Sequence, residues 1–173
     1  MILASALKIL KKHGTEFVNV KTIAKDLNCS TQPIYLSFEN MEHLRKELIP
    51  AAVNEFENIM KTESKNNIIC LYGMEYIYFA KNEPKLFSFL FMRSNAFEET
   101  KRMLLPIIEN SITELMAFYN ISHEEADLLH DHLWMHTHGI ASMIATDFCL
   151  WNIDKVKYML EECKKAFTKK YKM

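Results

Sequence analysis

Apolar residues recur at helical spacing along almost the whole chain. Ile2, Leu3, Ala6, Leu7, Ile9 and Leu10 make one face of a first helix in MILASALKILKKHG, and Gly14 ends it, where a residue of positive φ is favoured. Asn19 can cap a short second helix, VKTIAKDL, and Asn28 behind it tolerates positive φ. Ser30 is placed to cap a third, TQPIYLSF, with Pro33 in the first turn, where it deletes no helical hydrogen bond. Asn40 then caps a long fourth helix from about Met41 to Glu63, which Pro50 should kink. Further helices are predicted through IICLYGMEYIYFA, from Pro84 through PKLFSFLFMRS, and through TKRMLLPIIENSITELMAFY, the last bent or started by Pro106. Ser122 and Glu125 of SHEE hold the reciprocal positions of a capping box for the next helix, and Asn152 caps the last one.

Composition sharpens this into a fold class. Only 3 glycines and 4 prolines punctuate 173 residues, too few turns for a many-stranded sheet, so the expectation is all-α. There is no internal repeat or flexible linker, and a long helix joins head to body. The formal charge is −1, which excludes a general polyanion binder. The charge is uneven, however: residues 1–50 carry 7 Lys/Arg against 5 Asp/Glu, the remainder 14 against 17. A basic head on an acidic body points to a nucleic-acid-facing end. Cys29, Cys70, Cys149 and Cys163 form no C-x-x-C pair and read as reduced core residues. The most apolar run carries Glu75 and is too short to span a bilayer. With no signal peptide, the expected location is cytoplasmic, with no membrane partner.

Residues 20–38 have the spacing of a helix-turn-helix. Ala24 is the small residue where two helices cross, Asn28 the turn residue, and Ile23, Leu27, Ile34 and Phe38 the apolar pegs. The second helix then exposes Thr31, Gln32 and Tyr35, and short polar side chains near a helix N-terminus reach base edges in a major groove.

The stretch ILASALKILKKHG…NVKTIAKDLNCSTQPIYLSFENMEHL resembles the DNA-binding domain of the TetR (tetracycline repressor) family of transcriptional regulators. Gly14, Asn19, Ile23, Ala24, Leu27, Ser30, Ile34, Tyr35, Phe38, Glu42 and Leu44 match its pattern or replace it conservatively, over essentially the first 48 residues. The resemblance implies base contacts from Thr31 and Gln32, packing of Tyr35 on the sugar-phosphate backbone, and phosphate or base contacts from Asn19 and Lys21. Three features depart from the family. Met41 replaces a phosphate-gripping lysine, Ser37 replaces an aromatic or histidine, and the basic leader before the first helix is absent from these residues. Ser37 stays among the DNA-facing candidates by position. Each lost phosphate contact flattens the salt dependence by about one unit of slope, so nonspecific affinity should be modest.

The resemblance divides the chain into a DNA-binding domain at 1–48 and an effector-binding and dimerisation domain at 49–173. The second is rich in Met and aromatic residues, which suit loosely specified apolar ligands. Tyr76, Phe79, Phe91, Met103, Trp134 and His138 are the candidates for an effector pocket, and Phe97 belongs to the same Met-rich and aromatic set. The helices at roughly 122–147 and 153–171 would pair with their copies in a homodimer.

HDHLWMHTHG, residues 130–139, packs 4 histidines into ten positions. His132 and His136 share one flank of the predicted helix. His130, Trp134 and His138 share the other, beside Asp127 and Asp131. Neither flank reaches the ligand count of a structural zinc site, so no metal and no cofactor is expected. Trp134, His138 and Gly139 also resemble a W-x-x-x-H-G signature of one large TetR subgroup, and NEPKLFSFLF resembles another stretch of it. That gives His138 a packing or hydrogen-bonding role and Gly139 a close helix approach. The HD pair at 130–131 lacks the other ligands of a metal-dependent phosphohydrolase, and no phosphate loop or nucleophile motif occurs, so an enzyme is not expected.

The reading is a regulator, of the repressor type, that binds near-palindromic operator DNA as a homodimer and is released by a small-molecule effector. Its rivals are a ligand-binding helical protein with a degenerate head, and a metal-responsive regulator sensing through His132 and His136.

Overall fold

The structure is a computed structural model that describes residues 1–63, 71–94 and 97–171. Among these residues there is no strand, and the expected all-α class holds. The helices are α1 (Ile2–His13), α2 (Val20–Asp26), α3 (Gln32–Ser37), α4 (Met41–Glu63), α5 (Met74–Asn82), α6 (Pro84–Phe91), α7 (Phe97–Tyr119), α8 (His123–Ala145) and α9 (Ile153–Thr168). Short 3-10 turns occupy Thr15–Phe17 and Lys169–Tyr171.

Local chemistry accounts for most of the boundaries. Gly14 closes α1 at φ 101°, its N–H bonded to the Leu10 carbonyl at 2.9 Å. The Asn19 carboxamide accepts from the Thr22 N–H at 3.0 Å, Asn40 accepts from His43 at 2.8 Å, and Asn152 accepts from Lys155 at 2.8 Å. Ser122 and Glu125 form the reciprocal box that opens α8. Ser30 does not cap α3. Thr31 takes that position with no side-chain bond. Both internal prolines are carried within continuous helices, Pro50 in α4 and Pro106 in α7, and α7 begins at Phe97. The helix expected through IICLYGMEYIYFA starts at Met74, after a turn at 71–73. Its residues 68–70, Cys70 among them, lie outside the described residues, as does the Phe97 side chain.

The chain divides into two compact units, Met1–Asn58 with Glu83–Met103, and Ile59–Asn82 with Leu104–Met173. In the first, α1 packs on α2 and α6 and buries Ala6, Ile9 and Leu10. Leu44, Leu48, Ala52 and Phe56 make the buried face of α4, and Phe91 sets its ring edge against Phe56 at 5.6 Å. Ionic ties flank this core. Asp26 accepts from Lys8 at 2.6 Å and from Ser5 at 2.7 Å, and these bonds hold its carboxyl below the usual carboxylate range. Lys11 pairs with Glu55 and, at 3.2 Å, with Glu83; burial opposes its charge, but the two carboxylates outweigh that and raise its pKa.

In the second unit α5 and α9 both pack along α8. Ile112, Leu115, Ala126, Leu129 and Leu133 form a buried cluster, with Phe167 and Tyr171 packed against it. Cys163 sits at its edge, half-buried, and burial raises its thiol pKa. Cys29 is no core residue; it is exposed on the turn before α3.

Asn28 is one of three non-glycine residues of positive φ among those described, at 50°. Replacing it with Ala should destabilise the protein by about 1 kcal/mol, since a left-handed residue bearing a Cβ costs roughly 1–2 kcal/mol, while Asn28→Gly should be close to neutral. Urea unfolding of the two variants checks the ordering.

Candidate functional site

The surface around α3 follows from how α2 ends. The Cys29 N–H bonds the Ala24 carbonyl at 3.0 Å and the Asn28 N–H bonds the Lys25 carbonyl at 3.2 Å. With Asn28 left-handed, these two bonds make a Schellman closure, which stops α2 and turns the chain sharply. The next helix has six residues and buries one of them, Ile34, at 1% exposure.

That single peg decides what α3 shows. At 100° per residue, Gln32 and Leu36 point almost opposite Ile34, one helical turn apart, and Tyr35 flanks them. Gln32 is exposed, Tyr35 is 65% exposed and Leu36 80%. Thr31 is half-buried at the helix start. Ser37 is exposed, but its hydroxyl donates to the Pro33 carbonyl at 2.8 Å. Lys21 is exposed on α2. Asn19 is committed within the fold: its oxygen accepts from Thr22, and its amide nitrogen donates to the Phe17 carbonyl at 3.3 Å. From Asn28 to Phe38 no residue is charged. Leu36 is absent from the sequence-predicted set. Its position, two residues from Ile34, was legible as outward, but an apolar residue in an apolar run reads first as core.

The six candidate effector residues divide between the units. Phe91 packs in the first against Phe56 and Phe87, and Met103 is exposed there. Tyr76, Phe79, Trp134 and His138 come together in the second, between α5 and α8. Tyr76 and Phe79 are buried, their rings 6.5 Å apart. The Trp134 ring stacks on His138 at 5.0 Å, and the Tyr76 hydroxyl lies 3.1 Å from His138 Nδ1.

The Trp134 indole N–H only donates, and it bonds the Tyr76 side chain. His138 bonds the Tyr76 hydroxyl through Nδ1, and its Nε2 lies 3.4 Å from the Ser142 hydroxyl. Burial pushes the Tyr76 phenol far above its ordinary range and lowers the His138 pKa. The histidine is neutral. An open depression of about 500 Å³ lies elsewhere, along α1 between Ala4, Leu7, Lys8, Lys11, Lys12 and Glu83; none of the six candidates lines it.

The other histidines of α8 face separate neighbours. His130 is buried edge-on to Tyr72 at 5.8 Å, and burial lowers its pKa despite Asp131, Asp127 and Glu109. His132 stacks flat on Phe167 at 4.6 Å. Nδ1 of His130 and Nε2 of His136 are buried and make no hydrogen bond. Among the described residues no three His, Cys, Asp or Glu side chains are grouped to hold a metal ion. Gly139 does not receive a close helix: a Cβ there would meet nothing within 4 Å.

Compared with known protein families and with curated proteins, the chain matches none.

The neutral histidine sets a pH dependence. In the unfolded chain His138 titrates near 6.5, and in the folded chain it titrates lower. Its contribution is fully present above pH 6.5 and is lost as pH falls through the folded pKa, because the unfolded chain takes up the proton first. The urea midpoint should fall between pH 7.5 and 5.5, and His138→Gln should fall less over that range. Parallel pH profiles for the two proteins would assign the dependence to other groups, His130 first.

Proposed function

We propose that the chain is a transcriptional regulator of the TetR type, most simply a repressor, whose α2–turn–α3 segment is a helix-turn-helix that binds operator DNA. One observation carries this reading. The outward face of α3 is uncharged, holds Gln32 beside Tyr35, and is anchored through a single buried isoleucine behind a left-handed turn. A short helix held in this way leaves most of its side chains free for base edges. Lys21 on α2 supplies a cation for phosphate, and Thr31 and Gln32 supply the base contacts. Among the described residues no helix is long and apolar enough to cross a bilayer.

The partner in this reading is a second copy of the chain, paired through α8 and α9. The α8 face opposite the core exposes Leu128 at 52% and Met135 at 54%, with Gly139 open between Met135 and the half-exposed Ser142. A second α8 would supply the close approach that Gly139 lacks within one chain. Charge favours contact of each α8 with the α9 of the other copy. Residues 123–145 hold Glu124, Glu125, Asp127 and Asp131 and no Lys or Arg, while residues 153–171 hold six lysines against three acids. Symmetric pairing presents two copies of α3 about 34 Å apart, so the operator is a near-palindrome.

Release follows from linkage. A small apolar effector in the body that prefers a conformation with the two α3 helices wrongly spaced weakens DNA binding by its preference for that state, and by no more. Tyr76, Phe79, Trp134 and His138 are the residues for its site. The chief alternative is a ligand-binding protein whose head no longer binds DNA, consistent with Met41 at the position where the family has a phosphate-gripping lysine.

Selection of duplexes from a randomised pool, followed by titration at two salt concentrations, separates these readings. Specific binding to a near-palindrome is expected, and Thr31→Ala with Gln32→Ala should weaken it by a hundredfold or more, at roughly 1–3 kcal/mol per lost base contact. Lys21→Ala should weaken all duplexes evenly and lower the salt slope by about one. Absence of any sequence preference would favour the alternative. Sedimentation should give a dimer that Met135→Glu dissociates; a wild-type monomer at micromolar concentration would refute the pairing.

A further inference from the structure

We infer that Leu36 is a specificity residue that reads the 5-methyl group of a thymine, so that each operator half-site carries an A·T pair under the outer face of α3. The inference rests on the DNA-binding reading above and adds which bases that face selects.

Leu36 is 80% exposed on a helix that buries only Ile34. A lone exposed leucine is ordinary on a protein surface, so exposure by itself says little. Its position says more. It lies one turn from Gln32 on the line opposite the buried peg, in a stretch from Asn28 to Phe38 that has no charged residue. A surface of that kind has nothing to offer phosphates by charge, but it can meet base edges. The floor of a major groove presents hydrogen-bonding atoms at every base pair and one kind of apolar group, the thymine methyl. A leucine lowered onto any other edge would strip water from a donor or acceptor and return no hydrogen bond. The thymine methyl is the one partner that suits it.

Gln32 supplies the complementary half. Its carboxamide can pair with N6 and N7 of adenine, and four residues along a helix span about 6 Å, close to two base-pair steps. The two side chains therefore select an adenine and a thymine methyl within about two steps of each other. Tyr35, beside them, can also touch a methyl, and the test must tell the two apart.

The experiment uses the full chain and a duplex selected from a randomised pool. Each thymine of the half-site is replaced in turn by deoxyuridine, which removes only the methyl. One replacement should weaken wild-type binding about fourfold, the worth of one buried methyl-sized group. Leu36→Ala should weaken binding to the thymine duplex and be indifferent to that same replacement; Tyr35→Ala, which removes the ring, should keep the wild-type sensitivity. Because Leu36 is exposed, the variant should fold, and circular dichroism with an unchanged urea midpoint checks this. If no thymine is sensitive, or Leu36→Ala keeps the fourfold ratio, the assignment is overturned while DNA binding stands. If the pool yields no preferred sequence, the DNA-binding reading falls and this one with it.

Discussion

The burial of one side chain, Ile34, sets the direction of everything α3 presents. A helix of six residues has too few turns to hold itself in place by its own hydrogen bonds. Ile34 is the only residue it buries, at 1% exposure, and the turn before it is held by the left-handed Asn28 and two backbone bonds to α2. A rotation of 100° would bury Tyr35 and expose Ile34, which hydrophobic burial opposes by about 1.5–3 kcal/mol for the isoleucine alone. The candidate interface is thus a consequence of core packing one turn away. The same logic extends inward. Ile23 and Ala24 seat α2, and the Asp26 carboxylate ties that helix to Ser5 and Lys8 of α1.

The second unit is organised differently, with a buried polar cluster where α5 meets α8. Trp134, Tyr76 and His138 form a hydrogen-bonded chain, and burial holds the histidine below its ordinary pKa. Such a network rigidifies the meeting of α5 and α8 more specifically than apolar contact alone. It also explains why a histidine-rich helix gathers no metal site among the described residues. Its histidines point to Tyr72, to Phe167 and to Tyr76, three separate neighbours.

Much of this was legible beforehand, and the reason is local. The caps at Asn19, Asn40, Ser122 and Asn152, the glycine stop at Gly14 and the positive φ of Asn28 are short-range chemistry, decided by a residue and its neighbours three or four positions away. Ser30 did not cap, since α3 begins one residue later, behind Thr31. Leu36 was missed because hydrophobicity without an orientation reads as core. The candidate effector residues were a compositional choice, and composition does not say which aromatic rings meet. Tyr76 and Trp134 meet around His138, while Phe91 packs with Phe56 and Phe87.

By itself, then, the sequence determined the helices and most of their ends, because periodicity and capping act within a few residues of the chain. Tertiary structure alone decided the partners. That Tyr76 would reach His138, 62 residues away, and that His132 would lie flat on Phe167 depended on how α5 and α9 came to rest against α8. Contacts over such separations are selected by the packing of whole helix faces, and no local pattern encodes which of several aromatic residues will be the one that fits.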